Sequence, residues 1–104
     1  MSIGKKLIEL EYQNSYQCAR DLENCARIIK SVASSDVGEM ISDINMAWKG
    51  DSADVCVRKT ARAQEDIKKD GENIERVAAV IRMIADNVRR AEITAYNLTH
   101  IRKY

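Results

Sequence analysis

Trp48-Lys49-Gly50-Asp51-Ser52 divides this chain in two and decides its fold. Gly50 can adopt the positive φ that stops a helix or turns the chain. Trp48 brings a large flat apolar surface to the same point. Asp51 and Ser52 are good residues to start a new helix, because their side-chain oxygens can accept from its first free N–H groups. On either side the chain contains no proline, and only four glycines occur in its 104 residues. Such a composition favours long helices over a sheet with many turns.

Working outward from the corner, the upstream half carries Cys18, Leu22, Cys25, Ile29 and Val32 at 4-3-4-3 spacing, a heptad stripe on one helix face. Leu7 and Leu10 begin that stripe less regularly. After Val32 the stripe continues at Val37, Ile41, Ile44 and Trp48, one position out of phase. Between the two parts lies Ser34-Ser35-Asp36-Val37-Gly38-Glu39, where Asp36 and Glu39 resemble a capping box. The pattern predicts a first helix over about 5–47, continuous but bent near 34–38. Downstream, Ile67, Gly71, Ile74, Ala78, Ile81, Ala85 and Val88 repeat the 4-3 spacing. Ala53, Cys56 or Val57, Thr60 and Gln64 extend the same face, and Val77, Ile84 and Ala91 widen it. Gly71 sits where it would permit close approach of a partner helix. Glu65 with Lys69, Glu72 with Arg76 and Asp86 with Arg90 form i,i+4 pairs that mark a solvent face. The second helix is expected over about 52–98, after a turn at 48–51 and before a tail at 99–104.

Two such helices joined by a short turn fold back antiparallel. The apolar stripes are too wide for a lone pair to cover. The expected fold is all-α: a single hairpin domain over 1–104 that pairs into a four-helix bundle dimer. The seam of hairpin and dimer is read as Cys18, Leu22, Cys25, Ile29, Val32, Ile67, Ile74, Ala78, Ile81, Ala85 and Val88.

Other classes lose support. Hydrophobic residues make up 45% of the chain, too many for disorder by composition. Lys and Arg number 17 against 16 acidic residues, a net charge of +1 that gives no general attraction to nucleic acid or to an anionic membrane. No stretch approaches the roughly 20 apolar residues that span a bilayer. Lys5 and Lys6 are followed by no apolar run, so the N-terminus does not read as a signal peptide. Cys18 and Cys25 are seven residues apart on one helix, roughly 10 Å at 1.5 Å per residue, beyond the ~7 Å reach of a disulfide. Cys56, near the corner, is far from Cys25. The thiols therefore read as small buried apolar side chains, with an intermolecular bridge at the seam as the alternative. His100 stands alone, without the partners a zinc site needs, and reads as a solvated tail residue. No nucleophile with a base and no phosphate-cradling loop is present, so neither enzyme activity nor a cofactor is expected. The mildly basic C-terminal segment, with Arg82, Arg89, Arg90, Arg102 and Lys103, reads as a solvated face. Tyr12 and Tyr16, one turn apart, read as flanking the bundle end or marking a partner-contact edge.

Length, helical pattern and the central Trp48-x-Gly50, followed by small and apolar Ala53 and Val57, resemble the WXG (ESAT-like) family. These are small helical-hairpin proteins exported by type VII (ESX) secretion systems. The resemblance covers the whole chain. It implies a non-enzymatic protein, with Trp48 and Gly50 as the export corner. Its implied partners are a second copy, or another WXG- or LXG-type helical protein, together with the secretion ATPase; neither nucleic acid nor a small-molecule substrate is among them. It implies secretion without a signal peptide from a cytoplasmic pool, and a place in virulence or competition between bacteria. The chain departs from the family at its tail. Family members carry Tyr-x-x-x-Asp/Glu, whereas Tyr96 here is followed at that position by His100, and Tyr104 ends the chain. Tyr96 is then a tail contact without its acidic mate, and a partner would supply that half of the signal. The alternative is a cytosolic helical chaperone or adaptor for a larger effector, not itself exported.

Overall fold

A computed structural model of the chain describes residues 3–101. They are all-helical apart from one short turn. Helix α1 spans Ile3–Ser31 and runs into a π-helical stretch, Val32–Val37. Helix α2 follows at Gly38–Ala47 and, after the turn, α3 spans Asp51–Ile101. Two compact units divide the chain: Met1–Leu22 with Arg76–Tyr104, and Glu23–Glu75.

In the first unit α1 and α3 lie antiparallel. Glu9 meets Arg89, Tyr12 meets Asp86 and Tyr16 meets Asp86. Ala19 and Ala78 are both completely buried there, and Ala85 nearly so. In the second unit the segments on either side of the turn are also antiparallel. Gln64 reaches Ala33, Lys30 pairs with Glu75, and Gly71 lies against Lys30 and Ala26. Ala26, Ala33, Val37, Ala53 and Gly71 are buried in this unit.

The enclosed stripe differs from the expected seam by one position. Leu22 and Ile29 face inward, partly covered, as do Ile67, Ile74 and Ile81. Ala19, Ala26 and Ala33, rather than Cys18, Cys25 and Val32, fill the positions between them. Both stripes share Leu22 and Ile29, so hydrophobicity alone favours the one with larger side chains. Steric fit across the pair selects the other: small residues are buried on both partners, Ala19, Ala26 and Ala33 on one and Gly71, Ala78 and Ala85 on the other, and Ala26 lies against Gly71, so the helices approach closely. Cys18, Cys25, Val32 and Val88 are left exposed, and the three thiols are free, with Cys18 and Cys25 at the surface rather than buried.

The π-helical stretch falls where the apolar stripe slips. Its wider turns, bonded i to i+5, absorb one extra residue, so Ala33 and Val37 both point inward. The capping-box reading of Asp36 and Glu39 is therefore overturned. The backbone stays helical through this stretch, and neither Ser31 nor Val37 forms a side-chain cap. Here the Gln64 Nε2 amide donates to the Ala33 carbonyl at 2.7 Å.

Candidate functional site

The corner is short. Trp48 ends α2 in extended conformation (φ −120°, ψ 146°), and its N–H donates to the Ile44 carbonyl at 2.9 Å. Gly50 has φ +104°, and its carbonyl accepts from Asp54 N–H at 3.1 Å, opening α3. A Cβ at position 50 would meet nothing within 4 Å. Backbone conformation, not space, is what requires glycine there. Asp51 and Asp54 lie in the first turn of α3, where the helix dipole favours negative charge. The Trp48 side chain is 57% exposed, so the indole does not act as a plug between helix ends. Met40 and Met46 are exposed on α2 beside it.

A second constellation lies between α1 and α3 in the first unit. Tyr12 and Tyr16 both donate to Oδ1 of Asp86, at 2.9 and 2.8 Å, with their rings 4.6 Å apart. The Arg89 guanidinium donates to Glu9 at 2.7 Å and covers the Tyr12 ring at 4.8 Å, while Arg82 covers the Tyr16 ring at 5.6 Å. Further along, the Lys5 ammonium lies 5.5 Å from the Tyr96 ring. These are cation–π contacts spanning two helices. The Tyr16 hydroxyl is held far above the ordinary tyrosine range, first by its hydrogen bond with Tyr12 and then by that with Asp86. Arg89 is raised as well, chiefly by its hydrogen bond to Glu9.

Asp86 thus belongs to an interhelical latch and not to the solvent face; Arg90 donates to Asn87 instead. No signal within α3 distinguishes Asp86 from its neighbours, because its partners lie some 70 residues upstream. Tyr96 stacks on His100 at 3.8 Å, and the His100 Nδ1 lies 2.8 Å from the Tyr96 carbonyl. The ring pair occupies the place where the resemblance calls for an acid. Tyr104, Arg102 and Lys103 fall outside the described residues.

Beside the latch, an open groove of about 190 Å³ is lined by Ile8, Ile81, Ile84 and Val88 together with the latch's own Tyr12 and Arg89 and the carboxylates Glu11 and Glu92. Among the described residues no group of three or more His, Cys, Asp or Glu could hold a metal ion, and no helix is long and apolar enough to cross a membrane. Comparisons with protein-family models, with curated proteins and with solved structures found no match.

Proposed function

We propose that the protein is a small non-enzymatic helical hairpin exported by a type VII secretion system, or serving as partner or targeting factor for one. The observation that carries this reading is the corner: a half-exposed indole displayed at a turn whose backbone requires glycine. A buried Trp would be a packing device; an exposed one, held by a short turn between two helices, is available to a receptor. A second helical hairpin completes a four-helix bundle and brings the acidic tail residue missing after Tyr96. The interhelical contacts serve to hold the corner and its flanking helices in a defined geometry, and no reaction is catalysed.

A second reading, a cytosolic chaperone or adaptor for a larger effector, draws on the apolar residues left exposed along both helices. Export separates the two. The protein's level in the culture supernatant of its own organism, with and without a working type VII ATPase, is the decisive measurement. ATPase-dependent appearance outside the cell, lowered in Trp48→Ala while helicity is retained, is the expected result. Retention inside in both strains would overturn the export reading in favour of the adaptor.

A further inference from the structure

The second unit holds a cleft that neither the corner nor the latch uses. It is an open hollow of about 480 Å³ between the end of α1 with its π-helical continuation and the facing part of α3. Arg27, Lys30 and Lys68 line it, against a single carboxylate, Glu65. Lys30 is tied to Glu75 at 2.9 Å. Arg27 and Lys68 form no ion pair among the described residues. Acids nevertheless stand within helical reach of both: Glu23 four residues before Arg27, and Glu65 and Glu72 on either side of Lys68. The uncharged lining groups offer donors as well. The Ser34 hydroxyl donates to the Ser31 carbonyl at 3.3 Å, beyond the roughly 2.5–3.0 Å of a good O–H···O bond, so a stronger acceptor can draw it away. The Ser31 hydroxyl lies on the same wall. The Gln64 amide is fixed by its bond to the Ala33 carbonyl, which leaves a second N–H. The hollow thus gathers donors from both helices and only one side chain, Glu65, that can do nothing but accept.

We propose that this cleft binds a phosphate monoester, with Arg27 and Lys68 as the charge partners of its phosphoryl group and the Ser31 and Ser34 hydroxyls as further donors. A carboxylate brings one charge and two oxygens. A phosphoryl group brings three oxygens and a charge of about −1.5 to −2 at pH 7. The second suits two unpaired cations and donors on two walls, because hydrogen bonds to an ionised acceptor are the strong ones. Glu65 opposes such a ligand by its sign, which gives the proposal a variant that must gain affinity. The site involves neither Trp48, nor the tail, nor a partner chain, so it stands or falls apart from the export reading.

Titration of the full chain with glycerol phosphate, followed by amide NMR at fixed ionic strength with sodium chloride as the blank, tests it. Saturable shifts should be confined to residues 27–34 and 64–68 and include the Gln64 side-chain amide. Arg27→Gln and Lys68→Gln should each weaken binding about fivefold, the scale of one exposed charge contact. The control Lys69→Gln, at an exposed position outside the hollow, should leave it unchanged. Glu65→Gln should tighten it by about the same factor. Affinity should also fall between pH 8 and pH 5, as the phosphoryl group, with a second pKa of about 6, gives up one charge. Vesicles with and without phosphatidic acid separate the two sources of such a group. A soluble ester as the ligand leaves the protein in the supernatant; co-sedimentation that glycerol phosphate competes away and Lys68→Gln lowers assigns a lipid headgroup to the same cleft. Shifts that do not saturate, or that spread over lysines and arginines throughout the chain, would overturn the proposal. So would Lys68→Gln and Lys69→Gln with equal affinities.

Discussion

At Gly71 the two antiparallel segments of the second unit approach closely, and its replacement isolates the steric term. A Cβ there would lie 2.6 Å from Lys30 Cγ, 3.1 Å from Cδ and 3.3 Å from the Ala26 carbonyl oxygen. Gly71→Ala gains about 1 kcal/mol of helix propensity. Against that, Lys30 must swing outward and give up its 2.9 Å bridge to Glu75. That pair is exposed and worth at most about 1 kcal/mol. The carbonyl contact must also relax by a few tenths of an ångström. The terms nearly cancel, so Gly71→Ala should lie within about 1 kcal/mol of the parent. Leucine has almost the same helix propensity as alanine, so the step from Ala to Leu at this position removes propensity from the comparison. Overpacking should then cost about 1–3 kcal/mol, or at least ~4 °C in Tm for a domain of this size. Urea and thermal denaturation followed by circular dichroism, at one fixed protein concentration, measure both. In Gly71→Ala, adding Lys30→Ala should recover part of the propensity gain, a coupling of at least about 0.5 kcal/mol for side chains in contact. A Gly71→Leu variant as stable as Gly71→Ala would refute the close approach, because extra apolar surface without a clash would stabilise.

Two further outcomes follow from the polar contacts. Gln64→Leu leaves the Ala33 carbonyl without its cross-helix donor and should cost about 1 kcal/mol, the lower end for a partly buried acceptor; amide exchange should quicken over residues 32–38 and stay unchanged in the first unit. The raised Tyr16 hydroxyl makes stability alkali-sensitive: its contribution is intact below the unfolded phenol's pKa of about 10 and is lost as pH rises further, because the unfolded chain ionises while the folded one holds its proton. Tm measured from pH 8 to 12 should fall less steeply in Tyr16→Phe, and an unchanged slope would show that the latch does not form in solution.

The helices and the corner were readable because their causes are local. A run without proline, apolar residues at 4-3 spacing and one glycine beside an N-capping pair place two long helices and a turn at 48–51 without any distant information, and the structure has the turn at 48–50. The slip after Val32 is visible as a change of phase and gives a continuous helix bent near 34–38; that this stretch is π-helical is not readable there. A π turn and a capping box leave similar marks in sequence, and Gln64, which donates to the Ala33 carbonyl of this stretch, comes from the other helix.

Which side of each helix turns inward was a different kind of question. Cys18, Cys25 and Val32 are more hydrophobic than Ala19, Ala26 and Ala33, and a stripe judged by transfer energy selects them. Between the helices, separation decides: small buried residues on both partners, as where Ala26 lies against Gly71, allow backbones to approach where larger ones would hold them apart. The same is true of Asp86, whose neighbours on α3 suggest a surface ion pair and whose actual partners are Tyr12 and Tyr16. Helix formation and chain reversal depend on φ, on caps and on periodicity, all properties of a few consecutive residues, and the chain carries these openly. The choice of inward face depends on distances between atoms tens of residues apart, so only packing the helices together reveals that alanines form the enclosed seam and that the larger apolar side chains remain outside.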